Sequence, residues 1–418
     1  MNTYKAIFNC KICTKTLSLS QNLNTNFLSM VIQSLIKKEL ARQKKVINLI
    51  PSENYPSKNV LTALGSQLTS KYAEGYPGKR YYGGNEMMDE IELKTQELAK
   101  KVFGLPQHWH VNVQPYSGSP ANIAVYLALL KPNDVLMGMN LSHGGHLTHG
   151  HKVNFSGMFY NAIQYEVNKK TERIDYDELE KSAKKHKPKI IVSGVTAYPR
   201  RIDFKKIGQI AKKVGAYHLA DISHIAGLVA TNIHQSPFPY ADIVTSTTHK
   251  TLRGPRGAII FSKDNDVSEK INRAVFTGLQ GGPHMNTIAA IGICLEEALM
   301  PDFKQYQEQV IKNAQVLADE LKKHGFRLVS DGTDNHMILV DLKNKNISGK
   351  EAQDRLEKAG IIVNRNTVPN DKSPFNPSGI RLGTPAVTTR GMKEKDMTAI
   401  AGRIAKILSV QAHVFDKT

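Results

Sequence analysis

Short apolar runs alternate with amphipathic stretches along most of this chain, and that alternation is the strongest constraint on its fold. Val111-Asn-Val113, Val135-Leu-Met137, Ile190-Ile-Val192, Ala216–Ala220, Ile243-Val244 and Ala258–Phe261 have the character of buried strands. Between them, Ser119–Leu130, Tyr176–His186 and Phe204–Val214 have helical spacing. Strands separated by helices predict an α/β fold, with a mostly parallel mixed sheet covered by helices. The pattern changes near Pro301. A long amphipathic helix over Phe303–His324 is followed by strands at Phe326–Val329 and Met337–Asp341, then helices over Gly349–Ala359 and Lys393–Leu408. This predicts a smaller C-terminal α+β domain. The expected organisation is an atypical extension (1–26), a helical arm (27–56), a large domain (57–300) and a small domain (301–418). The arm is read from Leu28, Val31, Ile32, Leu35, Ile36 and Leu40 at three- and four-residue steps.

With 418 residues and a hydrophobic fraction of 40%, the chain can bury a sizeable core, which excludes a disordered protein. It has no apolar run near the roughly 18 residues of a membrane span. Three cysteines are too few for a disulfide framework and fit a reducing, cytoplasmic setting. The alternative is an organelle, because residues 1–26 are basic, hydroxyl-rich and free of acids, as transit peptides are. Cys10-Lys-Ile-Cys13 has half the spacing of a zinc site, but no second pair follows. A net charge of +19 suggests an anionic partner. The cations are scattered, however, and no nucleic-acid-binding motif accompanies them, so surface charge is the expected reading.

The richest stretch for chemistry is Thr245-Ser-Thr-Thr-His-Lys250-Thr-Leu-Arg-Gly-Pro-Arg-Gly257. A lysine amine becomes a nucleophile when burial or neighbouring cations lower its pKa, and His249 and Arg256 could supply such charge. The arrangement suits an imine with an aldehyde cofactor; a solvated turn lysine is the other reading. Asp221 ends an apolar strand in Leu219-Ala-Asp221-Ile-Ser-His224. It could face the pyridinium nitrogen of pyridoxal phosphate, or cap a helix. Ser117-Gly-Ser119 opens a helical run, where backbone N–H groups and the helix dipole favour an anion. Gly281-Gly282 is a second turn that could approach a phosphate. Four histidines lie within Leu141-Ser-His143-Gly-Gly-His146-Leu-Thr-His149-Gly-His151. No carboxylate sits among them, so an imidazole stacked on an aromatic cofactor is favoured over a metal.

Together these motifs resemble the serine hydroxymethyltransferase family of fold-type I pyridoxal-phosphate enzymes. The resemblance runs from about residue 28 to the C-terminus. It is carried by Ile50-Pro-Ser-Glu-Asn-Tyr55, by Lys71–Gly84, by Asn140–Gly150, by Thr247-Thr-His-Lys-Thr251 and by Ser378–Ala386. It implies transfer of the hydroxymethyl carbon of L-serine to tetrahydrofolate, through an external aldimine, with glycine and 5,10-methylenetetrahydrofolate as products. The cofactor would be pyridoxal 5'-phosphate, with tetrahydrofolate as cosubstrate and no metal.

Lys250, Glu74, His249 and Tyr82 are the implied catalytic set, with Lys250 forming the internal aldimine and Glu74 moving a proton. Ser117, Gly118 and Ser119 would hold the phosphate, with Tyr72, Gly281 and Gly282 reaching it from a second subunit. Asp221 would pair with the pyridinium nitrogen and His146 would stack on the ring. Thr196 and His224 would lie near its phenolic oxygen, and Arg256 close by. Arg381 would clamp the substrate carboxylate, helped by Ser52 and Tyr82. Leu141, Gly145, Leu147 and Asn366 would line the pterin site. A homodimer with shared sites, or a tetramer, follows. Pro120, Thr196, Arg200-Arg201 and Leu279 depart from the commonest family pattern without removing a catalytic group.

Overall fold

The computed structural model describes residues 25–371 and 376–409. Cys10, Cys13 and most of the expected N-terminal extension lie outside these residues. The chain divides into two units, residues 1–47 and 48–418. The first contains helix α1 (Thr25–Lys45), on which Val31, Ile32, Leu35, Ile36 and Leu40 form an exposed apolar stripe.

The second unit is built around a seven-stranded sheet. Its strands are β1 (His110–Asn112), β2 (Val135–Met139), β3 (Asn161–Tyr165), β4 (Ile190–Gly194), β5 (Tyr217–Asp221), β6 (Ile243–Thr247) and β7 (Ala258–Ser262). Their spatial order is β1-β7-β6-β5-β4-β2-β3. From β6 to β3 every pairing is parallel, whereas β7 runs antiparallel to both β6 and β1. The sheet is therefore mixed and mostly parallel, as expected. Edge strand β3 was not legible in the sequence, because Asn161-Ala-Ile-Gln-Tyr165 is only partly apolar and mostly half-buried.

Alternate residues of the central strands enter opposite cores. Met137, Ile191, Ala220, Val244 and Ile259 pack on one side. Leu136, Ile190, Val192, Leu219, Ile243 and Ile260 pack on the other, against Ala121, Val125 and Tyr126 of helix α2 (Gly118–Leu129). Burial of both faces explains why the strands read as continuous apolar runs. The covering helices carry their own start signals. Asp175 caps α3 (Tyr176–His186) through the Glu178 N–H, and Asp203 caps α4 (Phe204–Val214) through the Lys206 N–H.

A second sheet, fully antiparallel, has the order β8-β9-β11-β10, from β8 (Arg327–Leu328), β9 (Met337–Asp341), β10 (Asn364–Asn366) and β11 (Gly379–Gly383). Among the described residues no helix is long and apolar enough to cross a membrane.

Candidate active site

In open α/β sheets the loops beyond the carboxyl ends of parallel strands form the natural ligand crevice. Here Asp221 ends β5, Thr247 ends β6 and leads to Lys250, and Met139 ends β2 and leads into the histidine-rich loop. These segments line one cavity of about 470 Å³.

Lys250 is partly buried in the cavity wall. Its Nζ donates to Thr247 Oγ1 at 2.7 Å. Burial lowers the amine, Asp221 opposes that shift, and Arg256 and Arg381 reinforce it, for a pKa of about 8. The solvated-turn reading therefore fails. The turn behind Lys250 is tight: Gly254 N–H donates to Thr248 O, and a Cβ on Gly254 would lie 2.7 Å from Cys294 Sγ.

Asp221 is no helix cap, since the next helix (Ala226–Ala230) has Ile225 at that position. Its Oδ2 accepts from Asn122 Nδ2 at 2.9 Å and lies 3.1 Å from His149 Nε2, while Oδ1 accepts from the Ser223 N–H at 3.0 Å. Burial pushes this carboxyl up, but the hydrogen bond and charge of His149, with help from His146 and Ser223, hold it well below the usual carboxylate range. An ionised carboxylate fixed in a buried site is what a pyridinium nitrogen needs. His149 was not singled out by the sequence reading. Its one signal was a place three residues after His146 in the same loop.

His146 lines the same cavity, with Nδ1 2.7 Å from Thr148 Oγ1. Burial and the nearby His149 lower its pKa to about 4, so its ring is neutral and available for stacking. His146, His149 and Asp221 place their ligand atoms within 4.8 Å of one another. The bonds that Asp221 already makes to His149 and Asn122 fit a carboxylate anchor better than a metal ligand.

Ser117 stands at the N-cap of the twelve-residue helix α2 and makes no side-chain capping bond, so its hydroxyl remains for a ligand. Gly118 and Ser119 follow it along the cavity wall, and His249 and Arg256 line the same cavity. A Cβ on Gly118 would lie 2.7 Å from Thr247 Cγ2. His249 Nδ1 is buried without a hydrogen-bond partner among the described residues. A helix N-terminus, free hydroxyls, a cation and an orphaned ring nitrogen fit the phosphate end of pyridoxal phosphate, while Lys250 and Asp221 fit its aldehyde and ring nitrogen.

Arg381 reaches across from β11. Its Nη1 donates to Thr196 O at 2.5 Å and its Nε to Asn364 Oδ1 at 3.0 Å. Burial lowers its pKa to about 10, which still leaves it a cation. Ser52, Leu141, Leu147, Thr196 and His224 complete the wall, as do Glu53, Val195 and Ser223, which the sequence reading did not assign. Thr196 Oγ1 donates to Gly145 O at 2.7 Å, which commits its hydrogen and leaves its lone pairs.

Other expected residues lie elsewhere. Gly145 sits behind the wall, where a Cβ would lie 1.9 Å from Met139 O. Asn366 is on β10 and donates to Thr367 O rather than into the cavity. Tyr72, Glu74, Tyr82, Gly281 and Gly282 form a separate cluster. The Tyr72 and Tyr82 rings meet edge to face at 5.1 Å, and both are about half exposed. The Glu74 carboxylate borders Gly281, with Oε1 3.4 Å from where a Cβ would stand.

A family model described as serine hydroxymethyltransferase matches residues 28–404 of this chain.

Proposed function

The chain belongs to the serine hydroxymethyltransferase family, whose members depend on pyridoxal phosphate and use tetrahydrofolate as cosubstrate, and on that premise we propose its reaction in detail. It transfers the hydroxymethyl carbon of L-serine reversibly to tetrahydrofolate, giving glycine and 5,10-methylenetetrahydrofolate. The observation that carries this reading is the buried Lys250 amine, lowered to about 8, in one cavity with the ionised Asp221 and the Arg381 guanidinium.

Bound pyridoxal phosphate supplies an aldehyde for an amine and a ring that withdraws electrons from the substrate Cα. The protein does the rest. Lys250 Nζ is the amine that would hold the cofactor through its aldehyde. Asp221 would hold a proton on the ring nitrogen, and Ser117, Gly118 and Ser119 would bind the phosphate. Arg381 and Ser52 hold the serine carboxylate, which fixes the Cα bond to be broken against the ring. Leu141 and Leu147, which stand on the cavity wall, bind the pterin.

Glu74 holds the proton of the serine hydroxyl, and Tyr72, Tyr82, Gly281 and Gly282 complete the site from a second copy of the chain. Their gathering in an exposed cluster outside the cavity supports a homodimer with shared sites. The exposed apolar stripe on α1 supports self-association as well. We place the enzyme in the cytoplasm, where its one described cysteine, the buried and unpaired Cys294, stays reduced.

The test is glycine formation from serine with and without tetrahydrofolate. Turnover should require folate and vanish in Lys250→Ala. Undiminished turnover in that variant would overturn the reading.

A further inference from the structure

His224, in the cavity wall, is backed by a second buried histidine that the reaction above does not use. His336 is wholly buried and directly precedes β9 of the second sheet. Its Nε2 lies 3.3 Å from His224 Nδ1. The two ring planes are within 23° of each other and the centroids are 5.6 Å apart, so the rings meet edge to edge, nitrogen to nitrogen. Burial pushes both imidazoles down, as do the nearby cations Arg381 and Lys250; His336 falls to about 3 and His224 well below its ordinary value. Both rings are therefore neutral at physiological pH.

Two neutral imidazoles in contact share a single hydrogen, and it can come from either ring. The remaining atom of His336 decides between them. His336 Nδ1 is buried with no hydrogen-bond partner among the described residues. If His336 carried its hydrogen there, a buried N–H would be orphaned, which native proteins almost never tolerate. A bare acceptor nitrogen in the same place is the lesser cost. The hydrogen therefore sits on His336 Nε2 and is donated to His224 Nδ1. His224 must then carry its own hydrogen on Nε2, the nitrogen left to the cavity.

We propose that His336 is a positioning residue that sets the tautomer of His224, so that His224 offers an Nε2–H donor to the acceptor oxygens of cofactor and substrate. The ligand part of this rests on the function proposed above; the tautomer does not.

The test is two-bond 15N–1H correlation NMR on the full-length chain with 15N-labelled histidine, with and without pyridoxal phosphate, using His224→Asn to assign the signal. The expected result is a protonated Nε2 and a bare Nδ1 on His224. In His336→Glu, whose carboxylate only accepts, His224 should carry a hydrogen on Nδ1, with kcat down about three- to tenfold and the serine KM little changed. His336→Gln, whose amide can donate from a similar place, should restore both the tautomer and most of kcat. A hydrogen on His224 Nδ1 in the unmodified protein would overturn the proposal, even if His336→Glu fails to fold. So would a bare His224 Nδ1 in a folded His336→Glu. The expected tautomer in a protein that turns over no serine would uphold this inference and sink only the proposed activity.

Discussion

Arg80 Nη2 stands 2.6 Å from Glu92 Oε2, in a pair whose guanidinium side chain is 3% exposed and whose carboxylate is fully buried. The same guanidinium donates through Nη1 to the carbonyls of Ala73 and Gly75, at 2.8 and 2.9 Å, one on each side of Glu74. Gln114 Nε2 holds the other Glu92 oxygen at 2.8 Å. Arg80 Nε also pairs with Asp89 Oδ1 at 2.8 Å, so the segment that carries Tyr72, Glu74 and Tyr82 is anchored from beneath by one guanidinium held between two carboxylates. Removing the guanidinium would strand the fully buried Glu92 carboxylate away from water. We predict that Arg80→Ala lowers stability by about 3–5 kcal/mol, read as a fall in the urea midpoint. A loss below about 1 kcal/mol would show that the anchor is dispensable.

The lowered Lys250 pKa has a direct kinetic consequence. Below about pH 8 the amine is protonated and cannot attack an aldehyde; above it the amine is free. A solvated lysine, at its ordinary value near 10.5, would stay protonated across this range. The rate at which cofactor-free protein captures pyridoxal phosphate should therefore rise about tenfold from pH 7 to pH 9 and then level off. A rate still climbing steeply above pH 10 would mean that burial does not lower this amine.

Asp221 acts on the same group in the opposite direction, because its negative charge favours the protonated amine. Asp221→Asn removes that charge while keeping a side chain that His149 and Asn122 can still bond. The capture midpoint should move to lower pH, even though the variant loses the anchor for the ring nitrogen and with it serine turnover. An upward shift would show that Asp221 does not act on Lys250 through its charge.

The sheet and the central chemistry were legible because both are written locally. Buried parallel strands leave continuous apolar runs, and Lys250 and Asp221 each follow such a run directly. What escaped was set by partners distant in sequence. His149 acquires its role from Asp221, 72 residues away, and His336 acquires its role from His224, 112 residues away. Arg200 stood out only with Arg201, as a departure from the commonest family pattern. It is in fact buried, with Nη1 2.8 Å from Asp334 Oδ1 and Nε bonded to Ser330 Oγ. No local pattern announces pairings of this kind.

Gly118 offers a test of the phosphate end. Its Cα passes so close to Thr247 that a methyl group would stand 2.7 Å from Thr247 Cγ2. Gly118→Ala must push α2 or the segment leading to Lys250 aside. We expect about 1–3 kcal/mol of destabilisation, read from thermal or urea unfolding, together with at least tenfold weaker pyridoxal phosphate binding by titration. Unchanged affinity would remove the N-terminus of α2 from the cofactor site.

Whether two chains share each active site can be decided by mixing variants. Lys250→Ala lacks the amine of the cavity, and Glu74→Gln lacks the carboxylate of the separate exposed cluster. Each homodimer alone should be inactive. If Glu74 serves the cavity of the other chain, a mixed dimer has one site with both defects and one with neither. Random reassociation of equal amounts makes about half of the dimers mixed, so about a quarter of unmodified serine turnover should return. No recovery, from a mixture shown by mass to contain mixed dimers, would place Glu74 with the cavity of its own chain or outside the reaction.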